Sequence, residues 1–290
     1  MKPGFHSIPA AEYHADPCDE PSLSSSIANV LLNRSPLHAW HAHPRLNPAW
    51  RPIEPTNEMD AGTAAHMLLL EGHTNRVVIV DATDWRTDAA KEARVDARVA
   101  GKTPILRKHF FGIKAMVDAA KEQVTDGMLA GEAEQVIVWQ ENGIWCRAMM
   151  DLYHPVRILD YKTTDNAEPN GFCRRIGQMG YDVQEAFYRR GVKVLTGEDV
   201  SFVFLVQEID PPYLLSCVAL DRDWQELADR KVQRAIDTWA RCMETKHWPG
   251  YSAEICYAQA PGWAASQWEE AEIVRGMQVD PVQLREGLQA

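Results

Sequence analysis

The chain has 290 residues, 46% hydrophobic and 24% charged, a composition that builds a substantial core and excludes a disordered tail, a fibrous repeat or a peptide-sized scaffold. Its 30 Lys and Arg stand against 41 Asp and Glu, a formal charge of −11. This excludes a protein that coats nucleic acid over its whole surface, but not one with a local basic patch, since phosphate contacts are screened over about 10 Å.

Residues 1–55 hold 9 of the 17 prolines. Each removes a donor and restricts its predecessor, so no continuous helical layer forms there. Within them LSSSIANVLLNRS predicts a short helix capped by Ser22 or Ser24 and ended before Pro36. From Pro36 to Pro55, with His38, Trp40, His41, His43 and Trp50, an irregular wrap is expected. DAGTAAHMLLL at 60–70 sets Ala61, Ala64, Ala65, Leu68 and Leu69 on one helical face, and the strand-like VVIVDA follows. Residues 86–122 carry nine Lys or Arg against five Asp or Glu and are partly helical, with Phe111, Met116, Val117 and Ala120 inward.

At Glu132 the period changes. AEQVIVWQE, GIWCRAMMDLYH and VRILDYKTT read as three consecutive strands, the first two joined by the hairpin signal Asn142-Gly143. Helical period returns over 172–190, and SFVFLVQEI and YLLSCVAL are further strands. A long helix over 222–246 carries Trp224, Leu227, Ala228, Ala235, Ile236, Trp239 and Met243 on one stripe. WPGYSAEICYAQAPGWAASQWEE is a surface run leading into an acidic tail after Glu269. No composition break or repeat divides the chain, so a single domain over 1–290 is expected, with a Pro-rich wrap and helices in 1–130, a core at about 131–210 and a C-terminal helix and tail in 211–290.

The six cysteines, at 18, 146, 173, 217, 242 and 256, form no CxxC pair. Most read as small buried hydrophobes in a reducing compartment. His38, His41 and His43 lack paired cysteines and sit among prolines, so a zinc site is not expected. No signal-like apolar run opens the chain and no window reaches the length of a membrane span, which predicts a cytoplasmic protein.

The chemistry concentrates in MMDLYHPVRILDYKTT. Asp160 and Lys162 lie two apart on one strand and so share a face; pairing with the preceding strand brings Asp151 close to Asp160. Taken alone, such a D-x-K pair is either a solvated ion pair on an edge strand or part of a metal site. Two close carboxylates favour a divalent cation, because otherwise one of them tends to protonate, and all-oxygen ligation suits magnesium or manganese. A lysine beside them can orient a water or neutralise charge developing on phosphorus, which completes the parts needed for phosphodiester hydrolysis.

Asp151 followed by Asp160-Tyr161-Lys162 resembles the PD-(D/E)xK nuclease superfamily, and more narrowly the phage and prophage exodeoxyribonuclease VIII-like proteins related to the RecB-type nuclease domain. GTAAH with His66, LDYKTT, QEAFY with Gln184 and Tyr188, and WPGYS at 248–252 carry the likeness, which spans about residues 22–265. The resemblance implies a restriction-endonuclease-like α/β core, a central mixed sheet flanked by helices and elaborated at both termini. It implies that Asp151, Asp160, the Tyr161 carbonyl and His66 hold magnesium (or manganese), two ions per site, and that Lys162 positions the attacking water. Gln184 and Tyr188 would support the catalytic strand or touch the scissile phosphate, and Arg34 and Ser35 are candidates to receive a DNA 5′ phosphate.

Glu132 or Glu134 is a candidate further acid. DNA-facing candidates are the basic 86–122 segment and the cluster Arg174, Arg175, Arg189, Arg190 and Lys193. The implied activity is 5′ to 3′ digestion of double-stranded DNA ends by a homo-oligomeric ring, a trimer or tetramer, leaving 3′ overhangs for a single-strand annealing protein. A sequence- or structure-specific endonuclease and a catalytically inactive DNA-binding module are the alternatives. An iron–sulfur nuclease of the same fold is disfavoured by the scattered cysteines.

Overall fold

The fold is described from a computed structural model over residues 1–72, 75–125 and 127–277. The elements run in the order β1 (Gly4–His6), α1 (Ala10–His14), α2 (Ser25–Asn33), α3 (Pro36–Ala42), α4 (Asn57–His66), β2 (Val77–Val80), α5 (Asp88–Val99), β3 (Thr103–Leu106) and α6 (Arg107–Gln123). Then come β4 (Glu132–Glu141), β5 (Ile144–His154), β6 (Arg157–Thr164), α7 (Pro169–Met179), α8 (Tyr181–Thr196), β7 (Ser201–Glu208), β8 (Leu215–Val218), α9 (Arg222–Thr245) and α10 (Gly262–Met277). Contacts divide the chain into two compact units, Met1–Gly250 and Tyr251–Ala290.

Unit 1 is built on a six-stranded mixed sheet in the order β1-β4-β5-β6-β7-β8, with a separate parallel pair β2-β3. The β4–β5 hairpin turns on Asn142 and Gly143, both at positive φ (49° and 74°), the geometry that favours Asn-Gly in a two-residue turn. Only β6 and β7 run parallel within the large sheet, and the crossover between them is α7 and α8. One sheet face buries Ile137, Trp139, Ile158, Phe202 and Phe204 against α2, α8 and α9. The other buries Leu152, Leu159, Tyr161 and Leu205 against α4 and α6. Alternate residues of β6 therefore enter opposite cores, as a strand covered on both faces requires.

Several local expectations are corrected. Pro36–Ala42 is a helix rather than an irregular wrap: Pro36 occupies its first turn and the Ser35 hydroxyl caps the His38 N–H, a position where proline costs no hydrogen bond. The helix expected over 60–70 starts earlier, at Asn57 behind a Thr56 cap, and becomes a π-helical turn over Met67–Glu71. The helical stretch at 172–190 is two helices, broken at Gly180 with φ +72°. A Cβ there would lie 2.1 Å from Asn29 Oδ1, so the break is enforced by both backbone conformation and close approach. Phe111 and Leu227 are exposed rather than inward. Within the expected surface run Gly262–Met277 is helical; residues 278–290, the end of the predicted acidic tail, lie outside the described residues. Of the six cysteines, Cys18, Cys146 and Cys242 are buried and all are free. No helix among the described residues is long and apolar enough to cross a membrane.

Candidate active site

The site grows from a local failure of strand pairing. β5 and β6 pair from His154↔Arg157 to Leu152↔Leu159, and the ladder ends one step short of Asp151 and Asp160. There the Tyr161 N–H donates instead to Asp151 Oδ2 at 2.9 Å, so a carboxylate replaces a carbonyl as acceptor. β6 keeps its parallel register with β7, Asp160 beside Phe204 and Lys162 beside Val206, which leaves Asp160 and Lys162 on one face as expected.

Asp160 has no exposed surface. Gln184 Nε2, from α8, donates to its Oδ1 at 2.7 Å, and Lys162 Nζ lies 2.5 Å from its Oδ2. Burial pushes the Asp160 carboxyl up to about 6, with Lys162 opposing and the charge of Asp151 adding to the rise. Asp151 moves the other way: burial opposes ionisation, but His66, Lys162 and the Tyr161 N–H outweigh it and hold the carboxyl below its usual value. Lys162 is raised, because Asp160 and Asp151 overcome its own burial, and its ammonium sits 4.8 Å over the Tyr181 ring.

His66 closes the site from the end of α4. Its Nε2 lies 3.4 Å from Asp151 Oδ2 and its Nδ1 3.4 Å from Glu134 Oε1. Burial works against its charge, yet Asp151 and Glu134 raise its pKa to about 9. Burial raises Glu134 as well, His66 opposing it. Glu134 adopts a left-handed backbone, φ +54°, within a strand, a local strain of the kind that persists where surrounding structure enforces it. Glu71 completes the group: ligand atoms of His66, Glu71 and Glu134 all lie within 4.8 Å of one another. His66 Nε2 is buried and faces the Asp151 carboxylate at 3.4 Å. One imidazole, once it gives up its proton, with several carboxylates around it is a donor set that fits a divalent cation such as magnesium or manganese.

Of the two glutamates considered, Glu134 reaches the site and Glu132 stays exposed at the strand start. Glu71 was not anticipated. At 3.6 residues per turn, positions five apart point about 140° away from each other; the π-helical turn removes that separation. The H-x-x-x-x-E spacing after GTAA is the signal, legible only once that turn is known. Tyr188 is buried near Gln184, which hydrogen-bonds it, so it supports the α8 face.

Ser35 is buried and spent on His38, and Arg34, the exposed end of α2, lines neither cleft around Asp151. The serines that do are Ser24, Ser25 and Ser26 at the α2 N-terminus, in a cleft shared with Arg147, Gln184 and Asp151. Most of the basic cluster is ion-paired. Arg189 pairs with Glu185 and Asp229, Arg190 with Glu141, Lys193 with Asp199 and Arg175 with Asp165. Arg174 alone of the five has no ion pair among the described residues. In 86–122, Arg94 and Arg98 are bound to Asp60, Arg107 to Asp81 and Lys114 to Asp118.

A mixed sheet with Asp151, Asp160 and Lys162 where β5 and β6 part defines a PD-(D/E)xK nuclease-like domain. Residues 30–261 match the PDDEXK-like domain of unknown function (DUF3799), and the chain belongs to that family. Among solved structures it is similar to a "putative exonuclease" from Eubacterium rectale, with a TM-score of 0.61 and 14% identity over 88% of this chain and 96% of that one. At that identity the likeness concerns the fold. No curated protein matches the sequence.

Proposed function

We propose that the protein is a divalent-metal-dependent 5′ to 3′ exonuclease acting on double-stranded DNA ends and leaving 3′ overhangs. The observation that carries the nuclease reading is the convergence of Asp151, Asp160, Lys162 and His66 at the point where β5 and β6 part. Asp151, Asp160, the Tyr161 carbonyl and His66 would hold the magnesium or manganese, with Glu134 and Glu71 beside them. Bound there, the ions would polarise the phosphate and lower the pKa of water.

The chain's own groups supply the rest. Lys162 holds the attacking water and places positive charge beside the phosphate where negative charge develops. Gln184 fixes the Asp160 carboxylate through its hydrogen bond and so keeps Oδ2 turned toward Lys162. The N–H groups of the α2 N-terminus, with Ser24–Ser26, form a pocket suited to a phosphate, the 5′ end in this reading, and Arg147, held by Asp16, lines it. In this reading the protein works in the cytoplasm as a ring, a trimer or tetramer, that encloses the duplex and hands the overhang to a single-strand annealing protein, as the resemblance of GTAAH, LDYKTT and QEAFY implies.

The test is linear duplex DNA labelled separately at each 5′ and 3′ end, with covalently closed circular DNA alongside and magnesium or manganese added. Loss of label from the 5′ ends, sparing the circle and abolished by Lys162→Ala, is the expected result. Cutting of the circle would reassign the same residues to an endonuclease. No cleavage by folded protein with either metal would overturn the enzymatic reading.

A further inference from the structure

The clefts around Asp151 form a chain. The α2-side cleft and the metal-side cleft share Asp151, His14, Met149 and Tyr181. On its far side the metal-side cleft shares Gly62 and Thr163 with a third cleft of about 740 Å³. This third cleft belongs to none of the roles assigned above. Its floor is apolar, with Ile113, Met116, Pro211 and Tyr213, and Lys108 and His109 from the first turn of α6 stand at its rim. Among the described residues the side chains of Lys108 and His109 make no hydrogen bond or ion pair, unlike most of the basic side chains of the same segment. The wall carrying Tyr213 is held in place: Gln207, fully buried, and Gln123 both donate to the Tyr213 carbonyl.

We propose that this third cleft is a nucleotide subsite that takes one unstacked base of the DNA strand as it leaves the catalytic centre, with Tyr213 against the base and Lys108 on an adjoining phosphate. The inference rests on the nuclease reading and extends it to how the strand is held. Charge places the two halves of the nucleotide. Glu58 and Asp210 also line the cleft; they repel phosphate but can accept from the exocyclic amino groups of a base. The ring therefore lies over the apolar floor and the backbone along Lys108. Arg175 is neutralised by Asp165, which leaves Lys108 as the lysine or arginine free to meet a phosphate. Stacking on an aromatic ring with one nearby cation is a sequence-tolerant way to grip a single strand. An unstacked base here means that the strand is peeled from its complement before it is cut.

The experiment uses the full chain and linear DNA with a single abasic site moved stepwise along the digested strand. The wild type should slow about tenfold when the abasic site occupies one position on one side of the cut, and Tyr213→Ala should flatten that dip while cleaving intact DNA more slowly. In calcium, Lys108→Ala should weaken binding of a single-stranded oligodeoxynucleotide and reduce the slope of log K against log salt by about 0.7. Lys108 is exposed, so this variant keeps the test valid should Tyr213→Ala fold poorly. A flat abasic profile for an active wild type, or an unchanged salt slope for Lys108→Ala, would overturn the subsite and leave the nuclease reading standing. A wild type that cuts no DNA would overturn both.

Discussion

Replacing Asp16 by Asn tests the buried network that fixes the N-terminal wall of the site. The Asp16 carboxylate has no exposed surface and lies 3.3 Å from His43 Nε2 and 3.2 Å from an Arg147 guanidinium nitrogen. It also accepts from the Ser22 N–H at 2.9 Å and the Ser22 hydroxyl at 2.7 Å. Burial alone would raise its pKa, but His43, Arg147 and Ser22 outweigh burial and lower it from 3.8 to about 2. A depression of that size is worth about 2 kcal/mol of folding free energy. Because the folded-state value is the lower one, this stability is present above pH 4 and is lost as pH falls toward 2. Asp16→Asn forfeits it and leaves Arg147, itself buried, without a counter-charge, so the expected cost at pH 7 is about 3–5 kcal/mol. Urea unfolding followed by tryptophan fluorescence measures it. The gap between wild type and variant should narrow by about 1 kcal/mol between pH 7 and pH 3, as the wild type loses its advantage. A cost under 1 kcal/mol, or a gap that does not change with pH, would refute the claim that this ion network holds residues 13–24 against β5.

Lys162→Ala should lower cleavage by about 10²–10³-fold while the thermal midpoint moves by only a few degrees, read by gel assay and circular dichroism. Magnesium or manganese should stabilise the wild type by about 3 kcal/mol at one hundred times the dissociation constant; a thermal shift of equal size in the His66→Ala, Glu134→Ala double variant would reject the proposed ligands. Since Asp160 is raised to about 6, protons compete with the metal below that pH, and manganese affinity measured by calorimetry should fall between pH 7 and pH 5. Gly191→Ala adds a Cβ 2.7 Å from the Trp139 ring and 2.8 Å from Ile137 Cδ1, both fully buried. Overpacking of about 1–3 kcal/mol should exceed the gain of about 1 kcal/mol in helix propensity, so chemical denaturation should show a less stable protein; a stabilised variant would show that α8 can shift on the sheet.

Features that depend on near neighbours along the chain were legible before any packing was known. Period-2 alternation and the Asn142-Gly143 turn set the β4–β5 hairpin, and the two-residue spacing of Asp160 and Lys162 put both on one face. GTAAH, LDYKTT and QEAFY were enough to carry the family resemblance that residues 30–261 bear out. Tertiary structure decided which charges remain available. Arg190 meets Glu141 from β4 and Arg189 meets Asp229 from α9, whereas Lys108 meets no acid among the described residues. Arg189 with Glu185, four apart on one helix, is a pairing that spacing does show. Pairings between elements distant along the chain are ones about which local pattern is silent. The same holds for Glu71, brought to His66 by a π-helical turn, and for Gly180, whose break is required by Asn29 approaching from α2. Chain spacing specifies faces of a helix or strand; only packing specifies what each face meets.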